Sequence, residues 1–125
     1  MKRIILAALV GALVSGPAVA VDETGSYYRL GMGSEKCAKY LGAYGTSELK
    51  HTPDGQFSFN NRFGIWIGWI HGYATRVNMT TKGRANIYDM DSIGIAAWLA
   101  SWCRDNPSKD LTEAMNAFTQ SRLKQ

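Results

Sequence analysis

The longest regular pattern of apolar positions runs from residue 58 to about residue 78. Apolar side chains recur there at steps of three and four residues, the spacing of one face of an α-helix with about 3.6 residues per turn. The members of this face are Phe59, Phe63, Trp66, Ile67, Ile70, Tyr73, Ala74 and Val77. The pattern predicts one long central helix on which the other elements pack.

Three glycines, Gly64, Gly68 and Gly72, recur every four residues within the predicted central helix. A glycine inside a helix costs about 1 kcal/mol relative to alanine. The close approach of a second helix backbone would offset that cost, because a glycine has no side chain to hold the two helices apart. We therefore predict that these glycines are helix-packing residues, with the small residues of the helix that starts near Ile93 as their partners.

Three shorter segments also carry helical patterns. The first runs from a cap at Ser34 to about residue 43, and the second covers residues 93–103 after capping groups at residues 89–92. The third covers residues 111–123, with Ser108 as its expected cap. Glycine, proline and polar residues between these segments predict loops, with a turn at Pro53-Asp54-Gly55 and a polar loop over residues 80–90. The sequence therefore predicts an all-α domain of four helices.

The N-terminus has the three regions of a secretory signal peptide. A positively charged start precedes the apolar run Ile4–Val14, and a small-x-small pattern ends at Ala20. The run is too short to span a bilayer comfortably, so we expect residues 1–20 to be cleaved off after Ala20 and no membrane association afterwards. Residues 21–33 lack a helical pattern, so we predict an extended arm there. Residues 34–125 are predicted to form a single helical domain.

Two cysteines, Cys37 and Cys103, follow the predicted cleavage site. Export places them in an oxidising compartment, periplasmic or extracellular, where one intramolecular disulfide is the economical arrangement. Together with His51 and His71, the only histidines of the chain, they match no zinc-ligand spacing. The sequence therefore predicts a structural disulfide and no metal site.

Net charge gives little support for a nucleic-acid partner. The formal charge of +4 falls to +2 when Lys2 and Arg3 are removed with the signal peptide. No basic run and no alternation of basic and aromatic residues occurs in the remaining chain.

Candidate catalytic groups are few. His71 could act as a general base, or it could lie on the polar side of its helix without a catalytic role. Asp89 and Asp91 could pair as acid and base or bind calcium, but helix capping explains both. No G-x-S-x-G, H-E-x-x-H or Gly-rich phosphate-binding motif occurs. We therefore expect no enzymatic activity and no cofactor.

The aromatic residues suggest contact with another protein. Trp and Tyr are enriched at protein interfaces, and the central helix carries Trp69 at the border of its apolar face, two residues before His71 and four before Tyr73. Trp69 could be a contact residue or a cover for the last helix. We take Trp69, His71 and Tyr73 as candidate partner contacts, and a second copy of the chain is one partner they could serve.

The arrangement resembles two groups of small bacterial periplasmic proteins. Cys103 followed by Asn106-Pro107 and a last helix is similar to the HdeA/HdeB acid-stress chaperones, in which one disulfide joins a helical domain. The segment Gly68–Gly72 resembles the core of the Tai-type immunity proteins, which neutralise type VI secretion effectors. That family usually has further cysteines, and here Trp66 stands near one of those positions.

These resemblances and the residues together predict an exported, non-enzymatic protein-binding protein of immunity type. An HdeA-like chaperone is the alternative within binding proteins. An inhibitor of, or factor for, cell-wall hydrolases is the alternative of another class.

Overall fold

The computed structural model describes residues 31–81 and 88–123. In chain order its elements are a 3₁₀ turn Gly31–Ser34, α1 Cys37–Gly45, β1 Lys50–His51, β2 Phe57–Ser58, α2 Asn61–Thr80, α3 Ser92–Asp105 and α4 Leu111–Leu123. The predicted all-α class, with four helices in the described part of the chain, is confirmed. The predicted signal peptide, most of the predicted arm and part of the 80–90 loop lie outside the described residues.

Helix α2 is the predicted central helix. It begins after Asn60, whose side-chain oxygen accepts a hydrogen bond from the backbone N–H of Phe63 at 2.9 Å. Such a cap satisfies one of the N–H groups that have no partner within the helix. The buried side of the helix consists of Phe63, Trp66, Ile67, Ile70 and Ala74. The apolar spacing in the sequence therefore located the core face of α2 correctly.

Helices α1 and α3 are joined across the core. Cys37 and Cys103 form the predicted disulfide, and both are fully buried. The buried Tyr40 donates its hydroxyl hydrogen to the carbonyl oxygen of Ala96 at 2.9 Å. Burial raises the pKa of Tyr40 well above its ordinary value, so its hydroxyl stays a neutral donor.

The start of α4 is tied to the start of α1. The carboxylate of Asp110 accepts from the N–H of Glu113 at 2.9 Å, and the carboxylate of Glu113 accepts from the N–H of Asp110 at 3.0 Å. This reciprocal pair is a capping box. Backbone bonds from Cys37 N–H to the Lys109 oxygen and from Leu111 N–H to the Glu35 oxygen hold the two helix starts together.

The predicted caps of α1 and α4 are corrected by the structure. Ser108 does not cap α4, because the Asp110–Glu113 pair supplies the cap. Ser34 does not cap α1: its hydroxyl donates to the carbonyl oxygen of Gly31, and α1 begins only at Cys37. Residues 31–34 therefore form a separate turn rather than the end of an extended arm.

The predicted loop between α1 and α2 contains a short antiparallel hairpin. Lys50 pairs with Ser58, and His51 pairs with Phe57. Gly55 has a φ of +82°, in the left-handed region that favours glycine, and its N–H donates to the carbonyl oxygen of Thr52. The turn signal was therefore correct, whereas the two-residue strands are too short to show a period in the sequence.

The predicted packing of the glycine stripe is wrong. A Cβ atom added at Gly68 or Gly72 would meet nothing within 4 Å, and both residues are exposed. At Gly64 an added Cβ would meet only the side chain of Phe59, at 3.0 Å. At about 100° per residue, Gly68 and Gly72 lie on the side of α2 opposite Ile67 and Ile70. Since α3 packs on the core side, its small residues cannot reach them.

None of the helices in the described parts of the chain combines the length and the apolar character needed to cross a membrane.

Candidate functional site: the outward face of α2 and the pocket at the start of α3

One side of α2 carries large apolar residues that are exposed to solvent. Ile65 is 64% exposed and Met79 is 77% exposed, the two highest values among the large apolar residues that the structure describes as exposed. The exposed Gly68 and Gly72 lie between them on the same side of the helix. We call Ile65, Gly68, Gly72 and Met79 the outward face of α2.

The outward face has an apolar residue towards each end and two glycines between them, and the exposed Thr75 and Arg76 lie on the same side of the helix between Gly72 and Met79. Single exposed apolar residues are common on soluble proteins, whereas two of them on one side of a helix, with exposed glycines between them, make a candidate contact surface. Glycines at a spacing of four let another backbone approach closely. Methionine adapts its flexible thioether to varied partner surfaces. The face is therefore suited to accept a helix of another protein.

Trp69 lies beside this face and packs inside the domain. A Cβ atom at Gly33 would be 2.3 Å from Cζ2 of Trp69 and 2.7 Å from the hydroxyl of Thr112. The rings of Trp69 and Tyr73 lie 5.5 Å apart, and the Tyr73 hydroxyl donates to the side-chain oxygen of Asn116 on α4. Both aromatic residues are half-buried. They join the N-terminal turn and α4 to α2.

His71 lies on the other side of α2, at a pocket of about 410 Å³. Its Nε2 atom is 2.6 Å from the hydroxyl oxygen of Ser92, the first residue of α3. The ring of Phe57 meets the imidazole at 89°, with 6.1 Å between ring centroids. Tyr88 and Met90 complete part of the lining. His71 is therefore a half-buried contact between α2 and α3.

Both carboxylate oxygens of Asp91 have partners other than His71. It caps α3 by accepting from the N–H of Gly94 at 2.7 Å, and its second oxygen lies 2.8 Å from Nε2 of His51. The Gly94 N–H and the His51 side chain hold the pKa of Asp91 below its usual range. Burial lowers the pKa of His71, so its neutral form is favoured.

The Ser92–His71 pair supplies two members of a nucleophilic triad. A serine needs a base, and the base is normally oriented by a third group. The nearest carboxylate in sequence, Asp91, is held by His51 and the Gly94 amide instead. The arrangement therefore serves better as a polar contact at the start of α3 than as a reactive centre.

The paired-carboxylate hypothesis is not supported by the geometry. Asp89 forms an ion pair with Arg122 on α4, whereas Asp91 faces His51 on the hairpin. Asp91 caps α3 as predicted, whereas the predicted capping role of Asp89 is corrected, because its carboxylate pairs with Arg122. Among the described residues, no group of three or more His, Cys, Asp or Glu side chains is placed to hold a metal ion.

Sequence reasoning missed Ser92 and His51 as partners in this region. His51 lies 40 residues before Asp91, and His71 lies 21 residues before Ser92. No spacing rule connects such pairs, because the hairpin and the packing of α2 on α3 bring them together.

The fold and these surfaces define a small, mainly helical domain joined by a buried disulfide, with an exposed apolar helix face. Comparison with known proteins found no matching family model, no matching curated protein and no matching solved structure. The resemblance to acid-stress chaperones and immunity proteins stays a prediction.

Proposed function

We propose that this chain is an exported, non-enzymatic protein that acts by binding another protein through the outward face of α2, as an immunity protein binds its effector. The observation that carries the proposal is the exposure of Ile65 and Met79 on either side of two exposed glycines. The partner is a protein that presents an apolar helix to this face.

The energetics of α2 support the proposal. Gly68 and Gly72 each weaken the helix by about 1 kcal/mol, and no contact inside the described fold offsets this. A partner helix lying along the glycines would offset it in the complex. Ile65 and Met79 are also apolar without being buried, which is unfavourable in the free protein and favourable at an interface.

Two further features support export. The sequence begins with the three regions of a signal peptide. The disulfide between Cys37 and Cys103 is consistent with an oxidising compartment.

Site-specific photo-crosslinking tests the binding face. A photoreactive phenylalanine replaces Ile65 in one variant and the exposed Ser101 of α3 in the matched control. In cells, the residue at position 65 should give one defined crosslinked protein, and excess unlabelled protein should suppress it. The control should not give that product. A crosslink to a second copy would identify a homodimer.

The proposal fails if both positions give the same products or neither gives any. Trp69→Ala is a poor probe for this purpose. Trp69 packs around Gly33 and beside Tyr73, so its loss would weaken the fold as well as any contact.

An acid-stress chaperone is the second candidate, favoured by the groups at the start of α3. His71 has a lowered pKa, so the folded protein binds its proton less readily than the unfolded chain does. The contribution of neutral His71 to the free energy of unfolding is therefore fully present above the ordinary histidine pKa. It is lost as pH falls from that pKa to the lowered pKa of the folded protein. Tyr88 and Asp91 are the titratable groups that share its pocket.

Asp91 adds a second step at lower pH. Its pKa is also lowered, so its contribution is present above the ordinary aspartate value and is lost as pH falls through the lowered one. Measurement of client aggregation with and without the protein, from pH 7 to about pH 2, distinguishes the two functions because the range spans both titrations. Protection of clients only at acidic pH, with the disulfide intact, would favour the chaperone.

A further inference from the structure

A second surface opening lies between α1 and the start of α2, away from the histidine pocket. This α1–α2 crevice has a volume of about 450 Å³. Its floor is apolar, formed by the half-buried Ala43 and by the small accessible parts of Phe63 and Trp66, which are 1% and 5% exposed. Its α1 wall is low, because Gly42 and Ala43 carry little or no side chain there. The crevice is in the size range of small-ligand pockets, about 300–1,000 Å³.

Positive charge lies on both sides of the crevice. Lys39 belongs to the α1 wall and Arg62 to the first turn of α2. Arg62 is exposed and forms no ion pair with any described residue. Lys39 contacts Glu35 at 2.7 Å in an exposed i, i+4 pair, a type that is easily exchanged for a stronger acceptor. The N-terminal end of α2 adds partial positive charge of its own.

An apolar floor beneath two cations is complementary to a group that joins a carboxylate to an apolar side chain. The last residue of a polypeptide carries a carboxylate and its side chain on the same carbon atom. An apolar side chain could enter the crevice while the carboxylate meets Arg62, whose planar guanidinium can bind both carboxylate oxygens. An internal Asp or Glu side chain has no apolar group of its own to fill the floor.

We infer that the α1–α2 crevice binds the C-terminal carboxylate of a polypeptide whose last side chain is apolar, with Arg62 and Lys39 contacting the carboxylate and Phe63 and Trp66 the side chain. The inference rests on the proposed role in protein binding only in that its ligand is a polypeptide. The outward face of α2 is a separate surface, and each can be tested without the other.

Calorimetric titration with short peptides tests the ligand. The probes are acetyl-Ala-Ala-Leu as the free acid, the same peptide as its C-terminal amide, and acetyl-Ala-Leu-Asp-Ala amide. The free acid should bind with a dissociation constant in the millimolar range or below. The C-terminal amide and the internal aspartate should each bind at least about tenfold more weakly, because neither joins an apolar side chain and a carboxylate at one carbon.

Two glycine variants locate the binding. Gly42→Leu places a side chain into the crevice, since an added Cβ atom there meets nothing within 4 Å. Gly68→Leu is the matched control, because Gly68 is also an exposed helical glycine with open space around it. Gly42→Leu should weaken the free-acid peptide at least about tenfold, whereas Gly68→Leu should leave its binding unchanged. Arg62→Gln should weaken it by about tenfold and reduce its dependence on salt.

Helicity and thermal midpoint are measured for every variant, so that a loss of binding is compared only between folded proteins. The inference is overturned by no binding of the free acid, by equal binding of acid and amide, by equal binding of the internal aspartate, or by equal effects of Gly42→Leu and Gly68→Leu. These results are independent of crosslinking at Ile65. Failure of the crevice and failure of the outward face can therefore be told apart.

Discussion

Replacing the exposed glycines of α2 by alanine should stabilise the protein, whereas most substitutions destabilise it. Changing Gly68 or Gly72 to alanine adds one methyl group where nothing lies within 4 Å, and neither glycine has a positive φ. The substitution therefore introduces neither overlap nor backbone strain. Only the helix propensity changes, by about 1 kcal/mol in favour of alanine at each position.

The double variant should be more stable by about 2 kcal/mol if the two effects add. A domain of this size shifts its thermal midpoint by about 4–8 °C for each kcal/mol, so the gain is measurable. Urea and thermal unfolding of the disulfide-bonded protein, followed by far-UV circular dichroism, give the free energy and the midpoint. The slope of the urea transition should stay unchanged, because the folded structure is the same.

Gly33→Ala is the contrasting variant. Its Cβ atom would lie 2.3 Å from Cζ2 of Trp69 and 2.7 Å from the Thr112 hydroxyl, so either the ring or the turn must move. Overfilling of this kind costs about 1–3 kcal/mol. A loss of stability in Gly68→Ala or Gly72→Ala would refute the reasoning, because it would mean that another group packs on the outward face within the monomer. A stabilised double variant that also loses its crosslinked partner would support the proposed function.

The remaining predictions concern the core and the response to acid. Replacing Cys37 and Cys103 by serine should lower the free energy of unfolding, measured by urea unfolding, by about 4 kcal/mol. The estimate comes from the chain loop that the disulfide closes, whose ends are 66 residues apart in sequence. Alkylation of two thiols in the unreduced protein would contradict the bond. Tyr40→Phe should cost about 1 kcal/mol through loss of the hydrogen bond to Ala96, and an unchanged urea midpoint would argue against that bond. His71→Gln should abolish the loss of stability that begins as pH falls below the ordinary histidine range, measured as urea midpoints between pH 8 and pH 5; an unaltered pH profile would show that His71 is not responsible.

Several features of this protein were predictable from local sequence pattern. The apolar spacing of Phe63, Ile67 and Ile70 located the core face of α2, and the breakers around Gly55 located a turn. The pairing of Cys37 with Cys103 followed from there being two cysteines after a predicted signal peptide. These predictions held because helix period, turn chemistry and cysteine number are properties of short segments or of composition.

The caps show where local pattern stops being sufficient. Ser34 is a good capping residue, yet α1 begins three residues later, where backbone bonds tie its first turn to the chain before α4. Ser108 was the expected cap of α4, but Asp110 supplies the cap through its capping box with Glu113. Backbone bonds to a distant segment accompany the start of α1, which has no side-chain cap, whereas the cap of α4 depends on its partner three residues further along the helix.

The sequence by itself determined which residues of α2 form a helix and which of them are apolar, but not what the remaining side of the helix faces. Gly68 and Gly72 suggested a packed helix pair, whereas the tertiary structure leaves them exposed because α3 lies on the opposite side. Likewise, only the folded chain brings His71 to Ser92 and His51 to Asp91, across 21 and 40 residues. Periodicity follows from local backbone geometry, whereas the partner of each face depends on how all the helices share one core, which a single segment does not encode.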